Sequence, residues 1–251
     1  MDLTVESVLK DVPAAWRAFI DADALAGVLE RIRPDAGRLA PPPGLIFECL
    51  RWFSPEHTRV VIIGQDPYPT EGYAMGLSFS CNVGIPASLV NIYAALGTSG
   101  LMPKDHNATG DLRPWAAQGV LLLNRALTTR VGAANAHPQW LPITQRLVEG
   151  LCRDARGRGV TLIFMLWGGK AQSLRGVARQ WGHTALERAH PSPLSDNRLS
   201  APAEKFARCR HFLEANAELR AAGGRGIIWD VRAPSVAFTD GACPGNGADS
   251  A

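Results

Sequence analysis

Four short apolar runs punctuate the chain: Val60–Ile63, Val120–Leu123, Val160–Leu166 and, more weakly, Thr184–Ala189. Each is short enough, and rich enough in branched residues, to suit a buried parallel strand. Helical spacing of apolar residues fills the intervals at Ala87–Leu96, Ile143–Arg156 and Ala171–Arg179. A helix is also predicted over residues 14–32, where "PDAGRLAPPPG" breaks it, and another begins at Leu45 and runs to Phe53. A last helix is predicted over about Ala203–Ala222. Strands alternating with helices imply an α/β fold, a single domain over residues 1–232 with a central four-stranded parallel sheet flanked by helices. No internal repeat is visible.

The polar residues that interrupt this pattern fall at the strand ends. The first strand runs into Gln65-Asp66, the second into Asn124, the third into Trp167-Gly168-Gly169 and the fourth into His190 and "PSPLS". Open parallel sheets bind ligands beyond the carboxyl ends of their strands. Four strands delivering polar groups to one rim therefore predict a site there.

Composition narrows the chemistry. With 251 residues, 46% of them hydrophobic, the chain can bury a sizeable core. No apolar run is long enough to span a bilayer, so no membrane association is expected. "MDLTVESVLKDVP" has no apolar stretch followed by a cleavage site, which predicts a cytoplasmic protein if the source is bacterial. The net charge of +3 permits nucleic-acid binding without arguing for it. The five cysteines, Cys49, Cys81, Cys152, Cys209 and Cys243, are scattered, which disfavours a zinc site or an iron–sulfur cluster and fits a reducing compartment. No metal and no cofactor is expected.

The motifs at the predicted rim resemble those of family 1 uracil-DNA glycosylases. "GQDPYPTEGYAMGLSFS" (64–80) resembles the family's water-activating motif and the uracil-stacking phenylalanine after it; "GDLRPWAAQGVLLLN" (110–124) resembles the segment that ends in the uracil-reading asparagine. "LWGGKAQ" (166–172) and "HPSPLS" (190–195) are similar to its two later DNA-contacting loops, and order and spacing agree over residues 14–231. "YPT" after the aspartate is closest to the actinobacterial branch, where many relatives carry histidine at the position of Pro69. The resemblance implies a monomeric, monofunctional enzyme that acts on uracil in single- or double-stranded DNA.

It also implies roles. Asp66 would position the attacking water and stabilise a cationic sugar, although an aspartate after a strand is often a helix cap. His190 would donate, as a neutral imidazole, to the leaving uracil oxygen. His57, His106, His137 and His183 are expected to be structural. Asn124 would read the uracil edge, Phe79 would stack on the base unless "GLSFS" is an edge strand, and Gln65 would contact the base. Tyr68, fixed between Pro67 and Pro69, would exclude the 5-methyl group of thymine by clash. DNA contacts are expected from "GIPAS" (84–88) through Pro86 and Ser88, from Gly168 and Gly169, and from Pro191, Ser192, Pro193, Leu194 and Ser195. Leu194 is the candidate wedge into the base stack, or else a staple onto the following helix.

Three features depart from the pattern. Gly169 stands where many relatives have serine, with Lys170 beside it as a substitute charge. Residues 196–205 form an insertion directly after the wedge loop. Beyond Arg232, "SVAFTDGACPGNG" (235–247) resembles the first strand and turn of a ribonuclease H domain, with Asp240 at a metal-binding position; as an incomplete fragment it predicts a disordered tail over 233–251 without nuclease activity. Two rival readings remain: a glycosylase-like binding module without turnover, and a glycosylase for mismatched or hydroxylated bases. The retained set of Asp66, Tyr68, Phe79, Asn124 and His190 argues against the first, and the tyrosine wall against the second.

Overall fold

Side chains such as those of Val60–Ile63 offer nothing but apolar surface, so their backbone groups must find partners inside the protein. A sheet provides them. The computed structural model describes residues 3–102, 109–201 and 204–232. Its strands are β1 (Leu39–Ala40), β2 (Val60–Gly64), β3 (Val120–Asn124), β4 (Thr129–Arg130), β5 (Ile163–Trp167) and β6 (Thr184–Arg188). Its helices are α1 (Val5–Leu9), α2 (Ala14–Arg17), α3 (Ala22–Ile32), α4 (Ala87–Thr98), α5 (Arg113–Ala116), α6 (Leu141–Gly157), α7 (Gly169–Gln172), α8 (Arg175–Gln180), α9 (Pro193–Asp196) and α10 (His211–Ala221).

The main sheet has four strands in the order β3-β2-β5-β6, all parallel. β2, β3 and β5 are buried along their whole length, as expected for parallel strands covered on both faces. Gly64 pairs with Asn124, and Trp167 with Arg188, so the carboxyl ends of the four strands lie along one edge. β1 and β4 make a small antiparallel ladder apart from it.

Several boundaries differ from expectation for local reasons. The helix predicted over 14–32 is two helices, because the Asp21 carboxylate accepts the Ala24 N–H and starts α3 afresh. Leu45–Phe53 is not an α-helix; it forms 3-10 turns at Pro43–Leu45 and Glu48–Leu50, which bury Ile46, Phe47, Cys49 and Leu50 all the same. The third strand starts at Ile163 rather than Val160, whose N–H still bonds the end of α6 at the Ala155 carbonyl. The helix predicted over Ala171–Arg179 is divided into α7 and α8. The last helix begins at His211, after a 3-10 turn at Phe206–Arg208. Its expected start at Ala203 lies outside the described residues, as do His106 and the tail 233–251 with Asp240 and Cys243.

The core continues into residues 227–231. Ile227, Trp229 and Val231 are buried while Ile228 is exposed, the alternation of a strand without its ladder. Side-chain amides stand in for that ladder. Asn216 donates to the Ile227 carbonyl and accepts from its N–H, and Gln118 does the same for Ile228. Trp229 packs on Trp115 and Phe212 with ring centroids 5.2 and 5.0 Å apart. Phe212 and Phe206 then pack on Trp167, at 5.8 and 5.0 Å, which extends an aromatic column to the functional edge of the sheet.

Candidate active site

At that edge lies a cleft of about 540 Å³. It is lined by Gln65, Asp66, Tyr68, Phe79, Ser88, Asn124, Gly168, Gly169, His190, Ser192 and Ser195 among others, so most of the residues singled out in the sequence share one cavity. Pro86, Pro191, Pro193 and Leu194 are not part of its lining. Pro86 precedes α4, and Pro191 is buried with its carbonyl accepting from Asn91 Nδ2 at 2.8 Å. Leu194 is 68% exposed on the one-turn helix α9, which excludes the staple.

Asp66 caps no helix, since residues 65–70 begin none. Its Oδ2 accepts the Asn135 N–H at 2.7 Å and its Oδ1 accepts from Gln65 Nε2 at 3.1 Å. The same Gln65 amide donates to Asn135 Oδ1 at 2.6 Å. Asn135 holds a left-handed backbone, φ 57°, to make both contacts. The loop is stitched further by Ala126 N–H to the Gln65 carbonyl and Gly132 N–H to the Pro69 carbonyl. Asp66 is therefore held by a second loop, residues 125–135, which no sequence motif pointed to.

Asn124 closes β3 and is 6% exposed. Gly64 beside it has no side chain, and one would not fit: a Cβ there would sit 2.1 Å from Asn124 Oδ1. Among the described residues no hydrogen bond engages the Asn124 amide, so a nearly buried donor and acceptor face the cleft together. Such a group costs free energy until it meets a partner.

Phe79 belongs to a turn, not an edge strand, with φ 62°. Flanking bonds hold this unfavourable backbone: Ser78 N–H to the Leu122 carbonyl, Ser78 Oγ to the Ile62 carbonyl and Leu112 N–H to Ser80 Oγ. The Phe79 ring lies 5.5 Å from Trp167 and 5.8 Å from His190. Tyr68 Oη donates to the Phe79 carbonyl at 3.1 Å, and Tyr73 packs edge-on against its ring. Burial raises the Tyr68 phenol well above its ordinary range, so it stays neutral.

His190 follows β6. Ser192 N–H donates to its Nδ1 at 3.1 Å, which leaves Nε2–H as the donor of the neutral ring. Burial lowers its pKa, and the nearby Asp66 charge only partly opposes this. Gly168, at φ 85°, lets β5 end against His190; a Cβ there would lie 2.9 Å from the His190 Cβ. Lys170 is exposed and lines the mouth. Elsewhere His137 is buried between Thr128 and Asp35, and His183 bonds the Cys152 carbonyl, so both are structural. Among the described residues no cluster of three or more His, Cys, Asp or Glu side chains could hold a metal ion, and no helix is long and apolar enough to cross a membrane.

A parallel α/β sheet that gathers a carboxylate, a neutral imidazole, an unengaged amide and an aromatic ring in one cleft places the chain in the class of α/β proteins that bind their ligands beyond the carboxyl ends of the strands. Comparison identifies the family. Residues 51–220 match the model of the uracil DNA glycosylase superfamily, and the chain belongs to that family. It is 40% identical over 225 residues to the uracil-DNA glycosylase of Chromobacterium violaceum, covering 85% of this chain and 90% of that protein. It is 42% identical to that of Varicella-zoster virus (strain Dumas), covering 87% and 67%. The crystal structure of mimivirus uracil-DNA glycosylase superposes with a TM-score of 0.73 at 29% identity, covering 91% of this chain and 88% of that one.

Proposed function

We propose that this chain hydrolyses the N-glycosidic bond of deoxyuridine in DNA, releasing uracil and leaving an abasic site for repair. The observation that carries the reading is the unengaged Asn124 amide, facing the same cleft as Asp66, Phe79 and His190. An amide in that position donates to uracil O4 and accepts from N3–H. Cytosine, with its amine and unprotonated N3, presents the reverse pattern. Mismatched polar pairing in a buried site discriminates by about 10⁴-fold or more.

The base must leave the duplex to enter the cleft, at an unstacking cost of roughly a few kcal/mol. Inside, it stacks on Phe79 over the Trp167 floor. The bond from C1′ to N1 then breaks, the electron pair leaving with the uracil. The developing negative charge on the uracil is met by His190 Nε2–H, and the positive charge on the sugar by the Asp66 carboxylate. Water attacks C1′ on the face held by Asp66, its proton passing to the Asp66 carboxylate and from there to solvent, while the uracil anion takes up a proton from solvent as it is released. Ser88, Ser192 and Ser195, with the backbone of Gly168 and Gly169, line the mouth where phosphates would lie, and Lys170 adds a positive charge there. The enzyme acts as a monomer and forms no covalent intermediate with the DNA.

The test uses matched uracil- and thymine-containing oligonucleotides in the presence of a chelator. Free uracil and an alkali-labile site only in the uracil strand are expected. Asp66→Asn keeps the hydrogen-bonding shape but removes the charge, and should lower kcat by about 10²–10⁴-fold. Unchanged turnover in that variant would remove Asp66 from the mechanism; uracil-DNA binding with no uracil released by the native chain would favour the binding module.

A further inference from the structure

The helix that displays Leu194 has a single turn, Pro193–Asp196, and one turn cannot sustain itself in water. Its position must come from tethers. On its amino-terminal side, Ser192 N–H bonds His190 Nδ1 and Asn91 Nδ2 bonds the Pro191 carbonyl. On its carboxyl-terminal side the chain departs into the insertion, which by itself would leave that end free. Instead, Asp196 Oδ1 accepts the Phe206 N–H at 2.6 Å, ten residues on. Lys205 Nζ donates to the Asp196 carbonyl, and Arg188 Nη2 donates to the Lys205 carbonyl at 3.0 Å. Phe206 itself is fully buried against Trp167, whose ring also touches Phe79. The insertion thus begins and ends at one clamp, as a closed loop does.

We propose that Asp196 is a positioning residue: by closing the insertion onto Phe206 it holds the Leu194 wedge at a fixed height over the cleft, as though the insertion were absent. The inference rests on the glycosylase reading and adds a specific dependence to it. A wedge matters where a base must be driven out of a paired stack, and matters little where the strand is already single. Loss of the clamp therefore weakens action on duplex DNA and spares single-stranded DNA.

The experiment measures uracil release from the same sequence as single strand and as duplex. Asp196→Ala should lower kcat/KM on the duplex about tenfold, in line with the loss of one charge-assisted hydrogen bond, and leave the single strand within about twofold. Asp196→Asn, which keeps the accepting oxygen, should recover most of the loss. Leu194→Ala should show the same duplex-only defect, and adding Asp196→Ala to it should cost nothing more, since both act through one wedge. Equal losses on both substrates, no loss on the duplex, or additive losses in the double variant would each overturn the proposal. A native chain that releases no uracil from either substrate would overturn the functional reading, and this inference with it; a native chain that cleaves both, with variants that fail to behave as above, overturns this inference alone.

Discussion

Tyr68 shows how a single side chain can set a boundary. Its hydroxyl is tied to the Phe79 carbonyl, its ring leans on Tyr73, and Pro69 behind it is tied to Gly132. A pocket that merely attracted uracil more than thymine could separate the two by only about 10- to 200-fold, the worth of one methyl group. A ring that cannot retreat does better. Tyr68→Ala should make thymine release measurable and cut the uracil-over-thymine ratio of kcat/KM by about 10²-fold or more. Continued refusal of thymine would mean the wall stands elsewhere. That Tyr68, Asp66, Phe79, Asn124 and His190 share one cleft is legible in the sequence, because each belongs to a compact motif that starts or finishes at the carboxyl end of a strand. Asn135 is not, since it serves Asp66 across 69 positions with a backbone N–H that any residue but proline could supply. The only trace in the sequence is an asparagine tolerant of the left-handed region in "GAANAH".

Among the elements, the pairing of β2 with β3 decides whether the site can read a base. The register sets Gly64 opposite Asn124, and the missing side chain of one makes room for the amide of the other. Gly64 needs no positive φ; it is there for close approach. Gly64→Ala should therefore displace the Asn124 amide, the nearest obstruction, and also press on the buried Ser78, whose Cβ would lie 2.8 Å from the new methyl. A fall in kcat/KM of about 10²-fold, with a thermal midpoint lowered by the crowding at Ser78, is the expected result; Asn124→Ala, which leaves that contact untouched, should give a similar loss of kcat/KM with less loss of stability. Native activity in Gly64→Ala would show that Asn124 does not need its present position. The strands themselves were read almost correctly, since parallel buried strands are continuous apolar runs. The short helices were not, because one-turn pieces such as α2 and α7, and the 3-10 turns near Leu45, are set by caps and packing rather than by periodicity.

For the molecule as a whole, buried neutral imidazoles tie stability to pH. His211 lies beneath the site, accepting from Trp167 Nε1 at 3.1 Å, and burial together with the Arg188 charge lowers its pKa to about 4. His183 and His190 are lowered as well, chiefly by burial. In the unfolded chain these groups titrate near pH 6.5. The unfolded state thus binds more protons below that pH, so stability is complete above about 6.5 and is lost progressively as pH falls toward 4. For His211 alone the loss amounts to roughly 3 kcal/mol. His211→Gln keeps an acceptor for Trp167 but cannot titrate. Its thermal midpoint should fall less steeply between pH 6.5 and 4 than that of the native chain; parallel curves would show that His211 is not responsible. None of this could be read from six histidines in a sequence, because the shift depends on the burial of His211 against Trp167, at the end of the aromatic column, and on the Arg188 charge beside it.

That column also has a consequence in time. A ribosome that has reached Ser195 has made every residue from Gln65 to His190 that lines the cleft. The support beneath Trp167 still lacks Phe206, Phe212 and Trp229, the Asn216–Ile227 pair is not yet made, and the Gln118 amide still has no Ile228 to hold. The reactive edge is encoded first and backed last, since a domain completes its packing only when its last core segment emerges. A premature stop anywhere between Phe206 and Trp229 would leave every residue of the cleft translated and the wall behind it incomplete.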